Sequence, residues 1–223
     1  LSAGGASGAT TQADEPSAAA ICAALGVAAT PEQATQLEDF LALLQRWNAT
    51  YNLTAVRDPA AMRVQHLADC VAVLPPLLRL AGVRRVLDVG SGGGLPGVVI
   101  AILAPQLDVT CIDAVGKKAA FIRQVAGALA LPNLHAVHTR VEALSAAPFD
   151  VITSRAFSSL SDLARLTQRH LAAGGVWMAM KAQVPSAEMA DLKHAVDVFH
   201  VEQLDVPGLN AQRRLVWMRP RHA

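Results

Sequence analysis

Between residues 30 and 80 the apolar positions recur with a helical period. Thr30 caps, Pro31 takes the first helical position, and Gln33 completes a capping box. Leu37, Phe40, Leu41 and Leu44 follow as one apolar stripe. Ahead of it, Ser17 to Leu25 reads as a short helix closed by Gly26. Asp58-Pro59 repeats the cap-then-proline signal and opens a helix through His66 and Val71, which Pro75-Pro76 breaks. From residue 85 the pattern alternates between short apolar runs and helical stripes. Strands are expected at Arg85–Val89, Asp108–Asp113, Leu134–His138, Asp150–Ser154, Val176–Lys181, Phe199–Leu204 and Leu215–Met218. Helices are expected at Pro96–Leu103, Lys117–Leu129, Leu160–Leu171 and Ala187–Val196.

Continuous apolar strands are those buried on both faces, and alternating β and α elements predict a mainly parallel, doubly wound sheet. No convincing helix separates the last two strands, so they are expected to pair antiparallel at one edge. The predicted organisation is a disordered tail over 1–16, a helical cap over 17–82 and a seven-stranded α/β core over 83–223, cap and core forming one compact unit.

Composition narrows the function classes. Apolar residues make up 52% and charged residues 17%, which suits a compact α/β chain. No run approaches the roughly 18 apolar residues of a membrane span, and the first twenty residues carry no secretion signal, so a cytoplasmic protein is expected. Cys22, Cys70 and Cys111 are far apart and form no C-x-x-C pair, so they read as buried free thiols. The histidines show no ligand spacing, and no metal is expected. Net charge is +1, but residues 1–80 hold four Lys/Arg against seven Asp/Glu, and the remainder holds fifteen against eleven. After Asp205 come Arg213, Arg214, Arg219 and Arg221 with no acid, a modest basic face compatible with a chosen RNA.

The chemistry concentrates where the first predicted strand meets its helix. Val86-Leu87-Asp88-Val89 runs into Gly90, with further glycines at 92, 93, 94 and 97. Such a loop lets a ligand approach the backbone at the carboxyl edge of the sheet. Asp113, ending the second strand, offers a carboxylate to ribose hydroxyls. The same loop satisfies the dinucleotide pattern G-x-G-x-x-G through Gly92, Gly94 and Gly97. The phase Asp88-x-Gly90-x-Gly92-x-Gly94 is instead the methyltransferase arrangement. Its acid suits a cofactor bearing an amino group and a sulfonium, and suits a pyrophosphate poorly. A dinucleotide binder and a nucleotide-binding module without catalysis are the alternatives.

The chain also resembles a specific family, the bacterial small-subunit ribosomal RNA methyltransferase G, or glucose-inhibited division protein B, family. The resemblance rests on Trp47-Asn48, Tyr51-Asn52-Leu53-Thr54, Arg57-Asp58-Pro59, His66-Leu67-Ala68-Asp69, Asp88 through Gly97, and Asp113 with Lys117-Lys118 and Phe121-Ile122-Arg123. It continues through Arg140-Val141-Glu142, Ser154-Arg155-Ala156-Phe157, Lys181 and Arg213-Arg214-Leu215-Val216. Three positions depart from the family pattern: Cys70 stands for serine, Ala182 for glycine and Gln212 for an acid.

The resemblance implies a class I S-adenosylmethionine-dependent methyltransferase fold and methyl transfer to N7 of guanine 527 in 16S rRNA. It implies a cofactor site near Gly90, Leu95, Asp113, Val141, Glu142 and Arg155, with Asp88, Gly92 and Gly94 completing the loop. 16S rRNA or the small ribosomal subunit is the expected partner, met by a monomer. A methyltransferase of the same fold acting on another RNA site or a small molecule is the nearer rival.

Guanine N7 has a lone pair and no proton, so in-line positioning is needed and a general base is not. The chain agrees: Ser154-Arg155-Ala156-Phe157 is not an Asn/Asp-Pro-Pro-Tyr/Phe loop, and Cys111 lies inside a strand rather than in a Pro-Cys motif. Arg155 is the first positioning candidate, for the cofactor carboxylate or an RNA phosphate. Arg57, His66, Lys117, Lys118, Arg123, Arg140, Lys181 and Arg213 are the RNA-contact candidates. Trp47 and Tyr51 either reach the target base or anchor the cap to the sheet.

Overall fold

A computed structural model of the protein describes residues 15–155, 157–192 and 195–221. Most of the expected tail, residues 1–14, lies outside the described residues, as does Ala156. The chain opens with α1 (Ala18–Ala24), capped by Ser17, and α2 (Pro31–Tyr51), where Thr30 and Gln33 form the expected reciprocal capping box. Then come α3 (Pro59–Met62), a π-helical turn (Arg63–Ala68), α4 (Asp69–Val71) and α5 (Leu74–Leu78).

The helical cap departs from expectation in two places. The helix expected from Asp58-Pro59 to Val71 is interrupted by the π turn. Pro75 and Pro76 also do more than break a helix: they sit in the first turn of α5, where the missing amide donors are not needed.

The α/β part then runs β1 (Arg85–Val89), α6 (Gly97–Leu103), β2 (Asp108–Asp113), α7 (Gly116–Ala128), β3 (Leu134–His138), β4 (Phe149–Ser154), α8 (Leu160–Thr167), β5 (Leu171–Lys181), α9 (Ser186–Asp191), β6 (Val196–Leu204) and β7 (Arg213–Pro220). Short 3₁₀ turns at Val141–Ala143 and Gln168–His170 follow β3 and α8. Leu171 and Val196, expected to end helices, instead begin strands.

The seven strands lie in the order β3-β2-β1-β4-β5-β7-β6. β1 pairs in parallel with β2 and β4, while β7 is antiparallel to both β5 and β6. The antiparallel edge is therefore as expected, with the last strand inserted between its two predecessors. Chain order reverses between β1 and β4, which places the switch point beside the glycine loop, where open α/β sheets bind ligands.

Alternate strand residues feed cores on opposite faces of the sheet. Val86, Val109, Val151 and Met178 pack with α1, α2, α6 and α7, whereas Leu87, Ile112, Ile152 and Trp177 pack with α8. The cap is continuous with the first core. Phe40 is fully buried with its ring centroid 6.4 Å from that of Phe121, and Trp47 lies 5.5 Å from the same ring. Gln33 and Gln36 donate from α2 to the carbonyls of Ile102 and Leu129, both at 2.9 Å. Those bonds hold the cap against α6 and α7, and through them against the glycine loop.

Candidate active site: two clefts at the carboxyl edge of the sheet

The loop after β1 is built from beneath. Asp88 is fully buried, and its Oδ2 accepts the Gly97 amide at 3.0 Å. A Cβ at Gly97 would stand 2.2 Å from Cys111 Sγ and 2.9 Å from Asp88 Oδ2, so that close approach requires glycine. Burial pushes the Asp88 carboxyl up to about 6, partly opposed by its bond to Gly97, and its Oδ1 has no hydrogen-bond partner among the described residues. From above, Asp113 Oδ2 accepts the Gly92 amide at 3.0 Å and Oδ1 accepts that of Val115 at 2.8 Å. Each carboxylate oxygen keeps a lone pair for a further donor.

The first cleft, about 250 Å³, lies over β1, β2 and the turn after β3. Val89, Ile112, Val141, Phe157 and Leu166 make an apolar slot, bordered by Gly90, Asp113, Arg140 and Glu142. Gly90 has φ +70°, and a Cβ there would meet nothing within 4 Å, so its space belongs to whatever fills the cleft. An apolar slot ending in two carboxylates matches the flat ring and paired hydroxyls of an adenosine, and so fits S-adenosylmethionine. The slot's floor is fixed by His170, whose Nε2 lies 2.9 Å from the Val141 carbonyl, and by Arg169, which donates to the Glu142 carbonyl.

The second cleft, also about 250 Å³, lies over the ends of β4 and β5. Its lining includes Gln65, His66 and Asp69 from the π turn and α4, Arg155 after β4, Lys181 after β5 and Arg213 opening β7. Arg155 Nη1 lies 3.2 Å from the Gln65 carbonyl, 3.1 Å from His66 Nδ1 and 3.8 Å from Asp69 Oδ2. Arg213 Nε donates to Asp69 Oδ1 at 2.8 Å. Lys181 is held by both oxygens of Glu188 at 3.1 and 2.9 Å, while Glu188 also accepts the Leu160 amide. His66 is buried, with Nε2 2.7 Å from Thr54 Oγ1. Burial, with the Arg155 charge beside it, lowers its pKa to about 4, so the ring is neutral at pH 7. Burial raises the Asp69 pKa against the pull of Arg213 and Arg155. Ser154 Oγ donates to the Val89 carbonyl at 2.9 Å and joins the strand ends on which the two clefts stand.

The structure thus sorts the expected residues. Gly90, Asp113, Arg140, Val141 and Glu142 line the first cleft; His66, Arg155, Lys181 and Arg213 line the second. Asp88 and Leu95 are buried and line neither, and Gly92 and Gly94 shape the loop at positive φ. Arg57 is exposed and donates to Asn52 Oδ1, Lys117 and Arg123 are exposed on α7, and Lys118 lies 3.9 Å from Asp113. Trp47 packs between Tyr51 and Phe121, which accounts for it as an anchor, while Tyr51 stays 42% exposed.

Among the lining residues that the sequence does not single out for the site are Gln65 and Asp69 in the second cleft, and Phe157 and Leu166 in the first. Asp69, three residues after His66, was the one with a visible signal. Among the described residues no group of three His, Cys, Asp or Glu side chains could hold a metal ion, and no helix is long and apolar enough to cross a membrane.

A profile of the GidB family, described as rRNA small subunit methyltransferase G, matches residues 33–216. The chain is 61% identical over 200 residues to ribosomal RNA small subunit methyltransferase G of Leptothrix cholodnii, covering 89% of this chain and 92% of that one. The protein of the same name from Bordetella avium is 54% identical over 201 residues, covering 89% and 90%. Among solved structures, a SAM dependent methyltransferase from Aquifex aeolicus superposes with TM-score 0.52 at 14% identity, covering 72% of this chain and 93% of that one, a likeness of fold.

Proposed function

The chain belongs to the GidB family of rRNA small subunit methyltransferases, and from that premise we propose that it methylates N7 of guanine 527 in 16S rRNA. It is an S-adenosylmethionine-dependent enzyme. The observation that carries the reading is the pair of clefts on either side of the sheet's switch point, one suited to an adenosine and one lined with cations.

In this reading Asp113 and Glu142 take the ribose hydroxyls, and Val89, Ile112, Val141, Phe157 and Leu166 exclude water around the adenine. Asp88 acts from below, holding Gly97 and with it the loop. When bound, S-adenosylmethionine supplies an electrophilic methyl group on its sulfonium. The protein's task is then to bring N7 into line with that methyl group, and no side chain needs to remove a proton. Arg155, lining the second cleft just after β4, is the positioning residue. Lys181 and Arg213 meet the RNA, and Arg57, Lys117, Lys118, Arg123 and Arg140 widen the basic approach. His66, buried and neutral, steadies Arg155. The cap over 17–82 and the core over 83–223 act as one unit, and both clefts come from one chain, so a monomer on the small subunit in the cytoplasm suffices.

The test is to incubate the protein with labelled S-adenosylmethionine and small subunits from cells lacking this methylation, mapping N7-methylguanine by reduction and aniline scission. Label at a single guanine, lost in a folded Arg155→Ala variant, is the expected result. Cofactor binding without any label in subunits or free rRNA would remove the ribosomal assignment.

A further inference from the structure

The second cleft holds an arrangement that an RNA-binding surface does not call for. Asp69 is 98% buried, by a relative exposure of 2%, and it is the one acid among that cleft's lining residues. Its Oδ1 is taken by Arg213, whereas among the described residues Oδ2 has only Arg155 Nη1 at 3.8 Å, beyond hydrogen-bond range. The carboxylate therefore keeps acceptor capacity at a cleft whose cations would otherwise invite a phosphate. A phosphate entering there would meet a negative oxygen. A neutral ligand that donates to Asp69 and accepts from the arginines would not.

A guanine base has that pattern on one edge. Its N1–H and N2–H₂ donate and its O6 accepts, while N7 accepts on the other edge. Base-modifying enzymes commonly read an extruded base through its Watson–Crick edge. For a reaction at N7 this edge leaves the attacking lone pair free, whereas a donor on N7 would occupy it.

Building on the guanine-N7 reading above, we infer that Asp69 is the specificity residue of this site. Its free Oδ2 accepts N1–H of the target guanine while Arg155 or Arg213 donates to O6, leaving N7 turned toward the first cleft. Lys181 is already committed to Glu188 and has no part in reading the base. Arg213 fixes the carboxylate through Nε, and the π turn sets its place by carrying Asp69 out of the ordinary helical register.

The experiment uses small subunits assembled with 16S rRNA bearing guanine, adenine or 1-methylguanine at the methylated position. Single-turnover transfer to N7 is measured for the full-length wild type, Asp69→Asn and Asp69→Glu, with melting temperature and cofactor affinity followed in parallel. The amide of Asp69→Asn both donates and accepts, which suits adenine N1 and N6. The preference for guanine over adenine should fall by about 10- to 100-fold in that variant. Asp69→Glu, which retains the carboxylate, should keep the preference at a lower rate. Wild type should lose roughly tenfold or more on 1-methylguanine, which lacks N1–H, a result independent of how any variant folds. An Asp69→Asn enzyme slower on both bases with its preference intact would overturn the assignment, as would equal wild-type rates on guanine and 1-methylguanine. Wild type that binds cofactor yet leaves guanine-bearing subunits unmethylated would overturn the guanine-N7 reading, and this inference with it.

Discussion

Asp88 and Gly97, nine residues apart, close the glycine loop from below: the Asp88 carboxylate accepts the Gly97 amide at 3.0 Å inside a fully buried contact. A buried carboxylate with one oxygen unpartnered among the described residues is costly, and the native state carries that cost to hold the loop.

Asp88→Asn should therefore be more stable than wild type near neutral pH and a poorer cofactor binder. The native carboxyl titrates at about 6 against 3.8 when free, so its penalty is complete above pH 6 and is relieved as pH falls toward 3.8. The wild-type penalty is on the order of 3 kcal/mol, of which the amide should recover part. Melting at pH 7.5, with and without S-adenosylmethionine, checks both halves of the prediction; equal stability of the two proteins would contradict it.

Gly97→Ala should destabilise the fold by about 1–3 kcal/mol, because its methyl group would enter the space of Cys111 Sγ and Asp88 Oδ2. Adding Cys111→Ala to it should recover part of the loss. Urea denaturation of the single and double variants measures the coupling, and strict additivity would mean the thiol is not the obstacle.

His66 predicts an acid-sensitive fold. Its native pKa is about 4 against 6.5 when free, so between those values the unfolded chain takes up a proton that the native ring refuses. Stability should fall as pH drops through that window, by up to about 3 kcal/mol, and His66→Gln should flatten the fall. Urea midpoints from pH 4 to 7 give the comparison.

Phe40→Ala should cost about 3–5 kcal/mol, since the ring is fully buried against α7. Because the cap shares its core with the sheet, the loss should appear in a single transition by both circular dichroism and tryptophan fluorescence. Two separated transitions would show that cap and core unfold independently.

What the sequence made legible follows the range of the interactions involved. The capping box of α2, the strand-turn-helix around Gly90 and the buried strands β1, β2 and β4 all rest on local patterns, and all appear close to their expected bounds. The π turn was not legible. Nothing local marks Arg63–Ala68, and the contact at its Gln65 carbonyl comes from Arg155, ninety residues along the chain. Leu171 extends β5 because Phe149 pairs with it across an irregular register, a partner no local pattern reveals. The same limit applies to the role of Asp69: the acid is visible three residues after His66, but its pairing with Arg213, which arrives from β7, is not. The methyltransferase phase of the glycines, by contrast, was readable because acid and loop are neighbours in sequence.

The division of labour between the two clefts is tested most directly by calorimetric titration of wild type, Asp113→Asn, Glu142→Gln and Lys181→Ala with S-adenosylmethionine and with NAD. One molecule of S-adenosylmethionine should bind per chain, and NAD should not bind. Affinity should weaken about tenfold or more in Asp113→Asn, fall in Glu142→Gln, and stay in place in Lys181→Ala. NAD binding, or a loss of S-adenosylmethionine affinity in Lys181→Ala alone, would contradict it.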